Sequence, residues 1–375
     1  MLSSKLKIVY IISTLHRCGP VNILYFLLGE LDRERFEPFI ITLSPEPHES
    51  RLKEFRQLGI EVRSLNLSRV TGLLKGHSAL VALLDQINPE VIHLNCFRSI
   101  CLARRLSRRC HTLATLQNNP FDDYTMLCGK AIGYPMAALL SWNVRYLNEV
   151  VACSSAVARS MRDKCQREIR VINNGIDLAE PGTATMKHSA RELLQIPKSR
   201  PVFIYIANLV ERKNHATLIE AFLTPDLAQT ASLIIVGDGE LYEKYRAVAG
   251  GVGHIHFSGH VSDIYPYMYA SDFYVSTSLS EGFPTAVMQA MSIGLPPLLS
   301  KIEPHKEMLA PVTGYRYFFD PLDSKELSAK ALELCRDDYP PLSREVTIAV
   351  VSNYSSGAMA KKYEQLYTQL SARNY

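Results

Sequence analysis

Three segments of this chain set polar and charged residues directly after apolar runs of strand length, where a sugar or an anion could be held. The sharpest is Ser278-Leu279-Ser280-Glu281-Gly282-Phe283-Pro284-Thr285, followed by a helix-patterned run from Ala286 to Ile293 and then Gly294. Pro284 or Thr285 is expected to open a helix straight after a strand, so the free N–H groups of its first turn face whatever lies past the strand end. Glu281 sits just ahead of them and could accept hydrogen bonds from sugar hydroxyls. Gln289 follows about two turns further on.

The second segment is Ala207-Asn208-Leu209-Val210-Glu211-Arg212-Lys213, between a strand pattern and a helix pattern. Cations are disfavoured at a helix N-terminus, so Arg212 and Lys213 there point toward a bound anion. A diphosphate held by both side chains and by helix amides fits that chemistry. The third is Val236-Gly237-Asp238-Gly239-Glu240, whose glycines would let the backbone approach a ligand closely. A solvated charge pair and a ligand-free glycine turn are the plain alternatives for these last two. Neither half of the chain carries GxGxxG, which counts against a nicotinamide dehydrogenase. His254, His256 and His260, with Asp263 nearby, do not complete a zinc set, and no metal site is expected. His16, in the loop Thr14 to Pro20, follows the first strand pattern and could assist a reacting group.

The elements that must position these residues alternate throughout. Continuous apolar strands (Lys7 to Thr14, then FEPFIITLS, EVRSLNL and PEVIHLNCF) are separated by helical patterns, which predicts parallel sheets covered on both faces. The rhythm restarts at PVFIYIANL, after a polar stretch from Ala179 to Ser189 holding Pro181 and Gly182. The reading is therefore α/β, with two Rossmann-like doubly wound domains: residues 1–180 and residues 181–349, with a terminal helix at about 350–375 free to pack back on the first. Facing sheets of this kind would place a ligand in a central cleft. The 30 residues around Asn118 to Leu147 read as mostly helical, broken at Gly129, Gly133 and Pro135.

At 375 residues and 47% hydrophobic content, the chain can build two ordinary cores. A net charge of +4 is a mild basic bias without a recognised nucleic-acid motif, so no nucleic-acid partner is expected. Arg98, Arg104, Arg105, Arg108 and Arg109 form a basic cluster, read either as a solvated helix face or as a contact for anionic phospholipid or a phosphate-bearing acceptor. The rings of Phe121, Tyr124, Tyr134, Trp142 and Tyr146 could stack on an acceptor sugar, meet a bilayer interface or simply pack helices. No run of about 18 to 20 apolar residues suggests a spanning helix, and the start MLSSKLKIVYIIST reads as a buried strand rather than a signal. Eight scattered cysteines without a CxxC pair suggest free thiols in a reducing, cytoplasmic compartment.

SLSEGFPTAVMQAMSIGLP resembles the signature of the retaining glycosyltransferase family 4, which has the GT-B fold. IANLVERKNHATLIEAF, LIIVGDGE, HFSGHVSDIYPYMYASDFYVSTS, VINNGID and the Gly19 loop in IISTLHRCGPVNILYFLLGEL are also similar to that family, in its order and over roughly the whole chain. The resemblance implies that Glu281 contacts donor-sugar hydroxyls and that Lys213 binds the donor diphosphate. It implies that Gly19 approaches the phosphates or the transferring sugar, and that Gly282, Phe283, Pro284 and Thr285 line the donor. Asn174 and Gly175 match the turn that ends the first domain. Three positions depart from the family: Gln117 where many relatives have histidine, Asn208 where an arginine is frequent, and Gln289 where a second glutamate holds the ribose. The implied reaction is metal-independent transfer of a hexose or N-acetylhexosamine from a nucleotide sugar, expected to be UDP-linked. The implied acceptor is a glycan or lipid-linked oligosaccharide in capsule, O-antigen or lipopolysaccharide assembly, on the inner face of the cytoplasmic membrane. The nucleotide sugar is a co-substrate, and no cofactor is expected. An inactive sugar-nucleotide-binding scaffold, argued from the three departures, and a UDP-sugar epimerase of the same fold are the alternatives.

Overall fold

The computed structural model describes residues 5–103, 110–197, 199–337 and 339–373. The chain divides into two compact units, residues 1–177 with 355–375, and residues 178–354. In the first unit β1 (Leu6–Ile12) leads to α1 (Gly19–Glu30), β2 (Phe36–Thr42), α2 (Leu52–Gln57), β3 (Glu61–Ser64), α3 (Arg69–Ile87) and β4 (Val91–Leu94). There follow α4 (Phe97–Ala103), β5 (His111–Leu116), α5 (Pro120–Cys128), α6 (Lys130–Val144), β6 (Glu149–Ala152), α7 (Ser155–Cys165) and β7 (Arg170–Val171). Every pairing is parallel, in the order β3-β2-β1-β4-β5-β6-β7. The order reverses between β1 and β4, so loops after these two strands diverge and leave a crevice at their carboxyl ends.

The second unit runs α8 (Ala184–Leu193), β8 (Val202–Ile206), α9 (His215–Phe222), α10 (Pro225–Thr230), β9 (Ser232–Val236), α11 (Tyr242–Val248), β10 (Ile255–Gly259), α12 (Tyr265–Tyr269) and β11 (Phe273–Ser276). It continues with α13 (Thr285–Ser292), β12 (Pro297–Ser300), α14 (Glu303–Leu309), β13 (Phe318–Phe319), α15 (Ser324–Arg336) and α16 (Tyr339–Asn353). Its parallel sheet, β10-β9-β8-β11-β12-β13, repeats the topology of the first unit, with the reversal between β8 and β11. The central strands are buried over most of their length because helices cover both faces.

The last helix, α17 (Ser356–Ser371), belongs to the first unit. Met359, Tyr363, Leu366, Tyr367 and Leu370 recur at helical spacing and are buried in that unit's core. A buried polar chain fixes its position: the Tyr10 and Tyr367 hydroxyls are 3.0 Å apart, His93 Nδ1 lies 2.9 Å from the Tyr367 hydroxyl and His93 Nε2 2.7 Å from Thr115 Oγ1. Thr115 Oγ1 is in turn 2.9 Å from the Tyr363 hydroxyl. Buried hydroxyls without such partners would each cost about 1–3 kcal/mol, so the chain selects one seat for the helix.

One expectation of local structure is corrected. Among Gly129, Gly133 and Pro135, only Gly129 interrupts the helical run, at φ +75° between α5 and α6. Gly133 lies inside α6, where an added Cβ would come within 2.5 Å of the Thr125 backbone; it is glycine so that α6 can press on α5. Pro135, inside α6 and exposed, removes only one intrahelical donor. The polar stretch after Ala179 becomes helical at Ala184, capped by Thr183, whose hydroxyl accepts from the Met186 N–H.

Candidate active site

The second unit's reversal point brings two of the candidate segments together. The loop after β8 and the loop after β11 leave neighbouring strands, and the Leu279 N–H donates to the Arg212 carbonyl at 2.9 Å. The β8 loop closes in a single 3-10 turn, Glu211–Lys213, then passes through Asn214 at φ +50° into α9. Asn214 holds that turn by donating to the Pro321 carbonyl at 2.6 Å and to Thr217 Oγ1 at 3.0 Å. The Thr277 hydroxyl donates toward the Lys213 and Asn214 carbonyls at 3.0 and 2.9 Å, and the Tyr205 hydroxyl to the Lys213 carbonyl at 3.0 Å.

Glu281 is the focus of this arrangement. Its carboxylate accepts from the Lys213 ammonium, from Arg212 Nη1 at 3.1 Å and from the Ser278 hydroxyl at 2.6 Å. Arg212 Nη1 also donates to the Ser280 carbonyl at 2.6 Å. The Glu281 side chain is only 7% exposed, against 17% for Lys213 and 20% for Arg212, so the acid is sunk beneath two more accessible cations. Burial alone would push the Glu281 carboxyl up; the Lys213 and Arg212 charges, with the Lys213 and Ser278 hydrogen bonds, outweigh it and hold the group at about 2. Two cations and one anion leave this cluster with a formal surplus of one positive charge.

Three residues beyond Glu281, Pro284 occupies the N-cap of α13 with no side-chain hydrogen bond to the helix. The first-turn amides of α13 are therefore open to an acceptor from outside the helix. Gly282 and Phe283 are buried, and Pro284 and Thr285 are partly exposed. Gln289 lies partly exposed on α13; its backbone carbonyl accepts from Ser292 Oγ. Asn208 is exposed in the β8 loop.

Gly237 and Gly239 have a packing explanation. They sit at φ +142° and +156°, and a Cβ on Gly237 would lie 2.0 Å from the Ala207 carbonyl oxygen, one on Gly239 2.7 Å from that of Leu209. Their bareness lets the β9 loop lie flat on the β8 loop that carries Arg212 and Lys213. Gly19 differs: it opens α1, and a Cβ built there meets nothing within 4 Å.

In the first unit, two sequence choices far apart in the chain meet. Gln117, after β5, accepts from Asn174 Nδ2 at 3.0 Å, and Asn174 is buried. Gly175 next to it would clash with the Ser355 carbonyl at 2.4 Å if it carried a Cβ, so it serves the seat of α17. His16 is exposed after β1 and forms a bridge with Ser50. Arg98 donates to Ser44 Oγ at 2.5 Å; Arg104, Arg105, Arg108 and Arg109 lie outside the described residues. His254 Nε2 pairs with the Phe222 carbonyl at 2.9 Å, and no group of three or more His, Cys, Asp or Glu side chains suited to a metal occurs among the described residues.

Sequence reasoning overlooked the residues that aim Glu281. Ser278 links it to the Tyr205 hydroxyl, 2.9 Å away, and to Ser300, whose hydroxyl donates to the Ser278 carbonyl at 2.6 Å. His305 completes the set, with Nδ1 2.8 Å from the Ser300 carbonyl; burial pushes this imidazole down to about 4, so it is neutral. A tyrosine hydroxyl in an otherwise apolar strand and a Ser-Thr-Ser run at a strand end were the available signals.

Comparison with known proteins agrees with this picture. Residues 18–180 match the family model for Glycosyltransferase Family 4, and residues 200–337 that for Glycosyl transferases group 1, so the two span most of the chain. A UDP-Gal:alpha-D-GlcNAc-diphosphoundecaprenol alpha-1,3-galactosyltransferase of Escherichia coli is 33% identical over 143 residues, 36% of this chain and 37% of that protein. The chain thus matches under two fifths of that relative's length. The O-antigen biosynthesis glycosyltransferase WclY of Escherichia coli is 22% identical over 97% of this chain and 99% of its own. Among solved structures, Anabaena Alr3699/HepE in complex with UDP and glucose superposes with a TM-score of 0.79, at 18% identity over 97% of this chain and 100% of that one. At that identity the likeness establishes the GT-B fold.

Proposed function

Since the chain belongs to the glycosyltransferases these two family models describe, we propose that it transfers a hexose or N-acetylhexosamine from a UDP-sugar to a glycan or lipid-linked saccharide, with retention of configuration. The observation that carries this reading is the Glu281 carboxylate buried beneath Lys213 and Arg212, immediately ahead of the uncapped α13. The two cations offer a diphosphate a seat, and the α13 amides add partial positive charge. Glu281 meets sugar hydroxyls only as an acceptor, since it is ionised at any physiological pH.

As the glycosidic bond to the diphosphate breaks, the sugar becomes oxocarbenium-like and negative charge grows on the leaving nucleoside diphosphate. Lys213, Arg212 and the α13 N-terminus stabilise that charge where it develops. The acceptor hydroxyl attacks on the face the diphosphate leaves, and its proton passes to the departing phosphate oxygen. No glycosidase-like pair of carboxylates is required. Gln289 hydrogen-bonds the ribose as a neutral partner, Gly19 leaves room for the donor, and Gln117, held by Asn174, and His16 serve the acceptor side. The protein needs no cofactor beyond the co-substrate, and works in the cytoplasm on an acceptor presented at a membrane surface. HepE, holding UDP and glucose, and the E. coli enzyme named for UDP-Gal and a diphosphoundecaprenol acceptor support the donor and acceptor classes.

The test is a panel of UDP-, GDP-, ADP- and TDP-sugars with membrane lipid extract as acceptor and no added metal. Nucleoside diphosphate release together with a sugar-extended lipid, both lost in Glu281→Ala and Lys213→Ala, is the expected result. Donor binding without either product, across acceptors drawn from several extracts, would overturn the transferase assignment.

A further inference from the structure

The first unit carries a surface that the donor-site reading does not use. Among the described residues, seven of the fifteen exposed large apolar side chains fall between residues 126 and 146, on α5, α6 and the turn after α6. The most exposed are Leu127 at 76%, Ile132 at 58%, Tyr134 at 53% and Leu139 at 45%; Trp142 and Tyr146 stand at 41% each. The α6 helix is apolar on both sides, unlike an ordinary surface helix. The buried side of α6 carries Leu140 and Val144 together with the small or polar Gly133, Ala137, Ser141 and Asn143. Solvent meets Ile132, Tyr134, Leu139 and Trp142 on the other side. A monomer normally keeps such patches small, and a concentrated one marks an interaction site.

The charge pattern names the partner. No Asp or Glu occurs between Asp123 and Glu149, whereas Lys130 stands exposed at one end of α6 and Arg145 at the other. Lys164, from α7, lies 4.0 Å above the Phe121 ring on α5, which sets a third cation beside the same helices. Asp122 and Asp123 stand at the start of α5 and Asp163 next to Lys164, but the apolar stripe from Tyr124 to Asn148 carries no carboxylate and is bordered by cations, which matches a bilayer with anionic headgroups. The Trp142 and Tyr146 rings, edge to face at 5.4 Å, are the side chains that favour the headgroup boundary. We propose that α5 and α6 form a membrane-docking face, with Leu127, Ile132, Leu139 and Trp142 entering the interfacial layer of an anionic lipid surface and Lys130 and Arg145 meeting its headgroups.

Trp142 is the one tryptophan of the chain, so its emission reports on this face alone. The full-length protein is titrated with vesicles of phosphatidylcholine and phosphatidylglycerol at 7:3, and with phosphatidylcholine vesicles alone. A blue shift of Trp142 emission with co-sedimentation is expected on the anionic vesicles, at least tenfold weaker on the neutral ones. The pair Ile132→Glu and Leu139→Glu should weaken binding at least tenfold, and the milder pair Lys130→Ser and Arg145→Ser should weaken it and reduce its salt dependence. Unchanged thermal melting confirms that each variant folds. Absence of vesicle binding, or binding that survives both pairs, overturns the proposal. So does a lipid-free dimer by sedimentation equilibrium that Ile132→Glu and Leu139→Glu dissociate, since that would assign the face to a second copy. Vesicle binding needs neither donor nor turnover, so failure here leaves the donor-site reading standing, and the reverse holds too.

Discussion

Glu281→Gln tests the electrostatics of the site without altering its shape. In the folded protein the carboxyl is held at about 2, against 4.5 for an unpaired glutamate. A group whose folded value is depressed contributes stability that is complete above its unfolded value and lost as pH falls through the folded one. At pH 7 the difference corresponds to about 3 kcal/mol, and Glu281 is buried enough that solvent screening does little to reduce it. Glutamine removes that contribution and takes the Glu281 carboxylate from Lys213 and Arg212, and breaking such a buried pair costs a similar amount, about 3–5 kcal/mol. For a unit of this size each kcal/mol moves Tm by about 2–4 °C, so Glu281→Gln should melt about 6–12 °C lower at pH 7. The decisive reading is the pH dependence of that gap. At pH 3 linkage leaves wild type about 1 kcal/mol of the contribution, so the two melting curves should converge by about 4–8 °C. Melts followed by circular dichroism at pH 7, 5 and 3 give the answer. A gap that is absent at pH 7, or that keeps its size at pH 3, would refute the ion-pair account.

The glycines separate packing from ligand space. Gly237→Ala should destabilise the second unit by several kcal/mol, about 3 or more, because its Cβ meets the Ala207 carbonyl at a φ of +142°. Gly19→Ala should leave Tm within about 1 °C, since nothing stands within 4 Å, while lowering turnover; denaturant melts and product assays check both. Gln289→Glu should tighten UDP binding by about 5- to 30-fold through a charge-assisted bond, read by calorimetry; weaker or unchanged binding would remove Gln289 from the ribose. His93 and His215, pushed down by burial to about 3, should remain neutral at pH 5 in nitrogen-detected NMR. Their contribution to stability is complete above about 6.5 and drains as pH falls toward those values; an imidazolium signal from either at pH 5 would contradict their burial.

The alternation of apolar strands and helices announced two parallel-sheet units, because strands covered on both faces must be continuously apolar. Glu281, Lys213 and Arg212 were also legible, since strand-end loops are where such sheets bind ligands and since the surrounding motifs have a family resemblance. Other features depended on residues distant in the chain. Gly237 and Gly239 reveal their packing role only once the Ala207 and Leu209 carbonyls lie against them. Gly133 and Pro135 read as breaks because local propensity disfavours both; the close approach of α5 requires the glycine, and the exposed Pro135 costs α6 one donor. Tyr205 and His305 carry no motif and Ser278 only opens one, and their part in aiming Glu281 appeared when neighbouring strands set them side by side. The seat of α17 was likewise left open by its helical periodicity, and was decided by the hydrogen-bonded chain Tyr10, Tyr367, His93, Thr115 and Tyr363. Periodicity and strand-end chemistry are local properties that a sequence displays by itself. Which side chains share a buried hydrogen bond, and which glycine a distant carbonyl requires, follow from the path of the folded chain, because only there do residues far apart in sequence exclude water together.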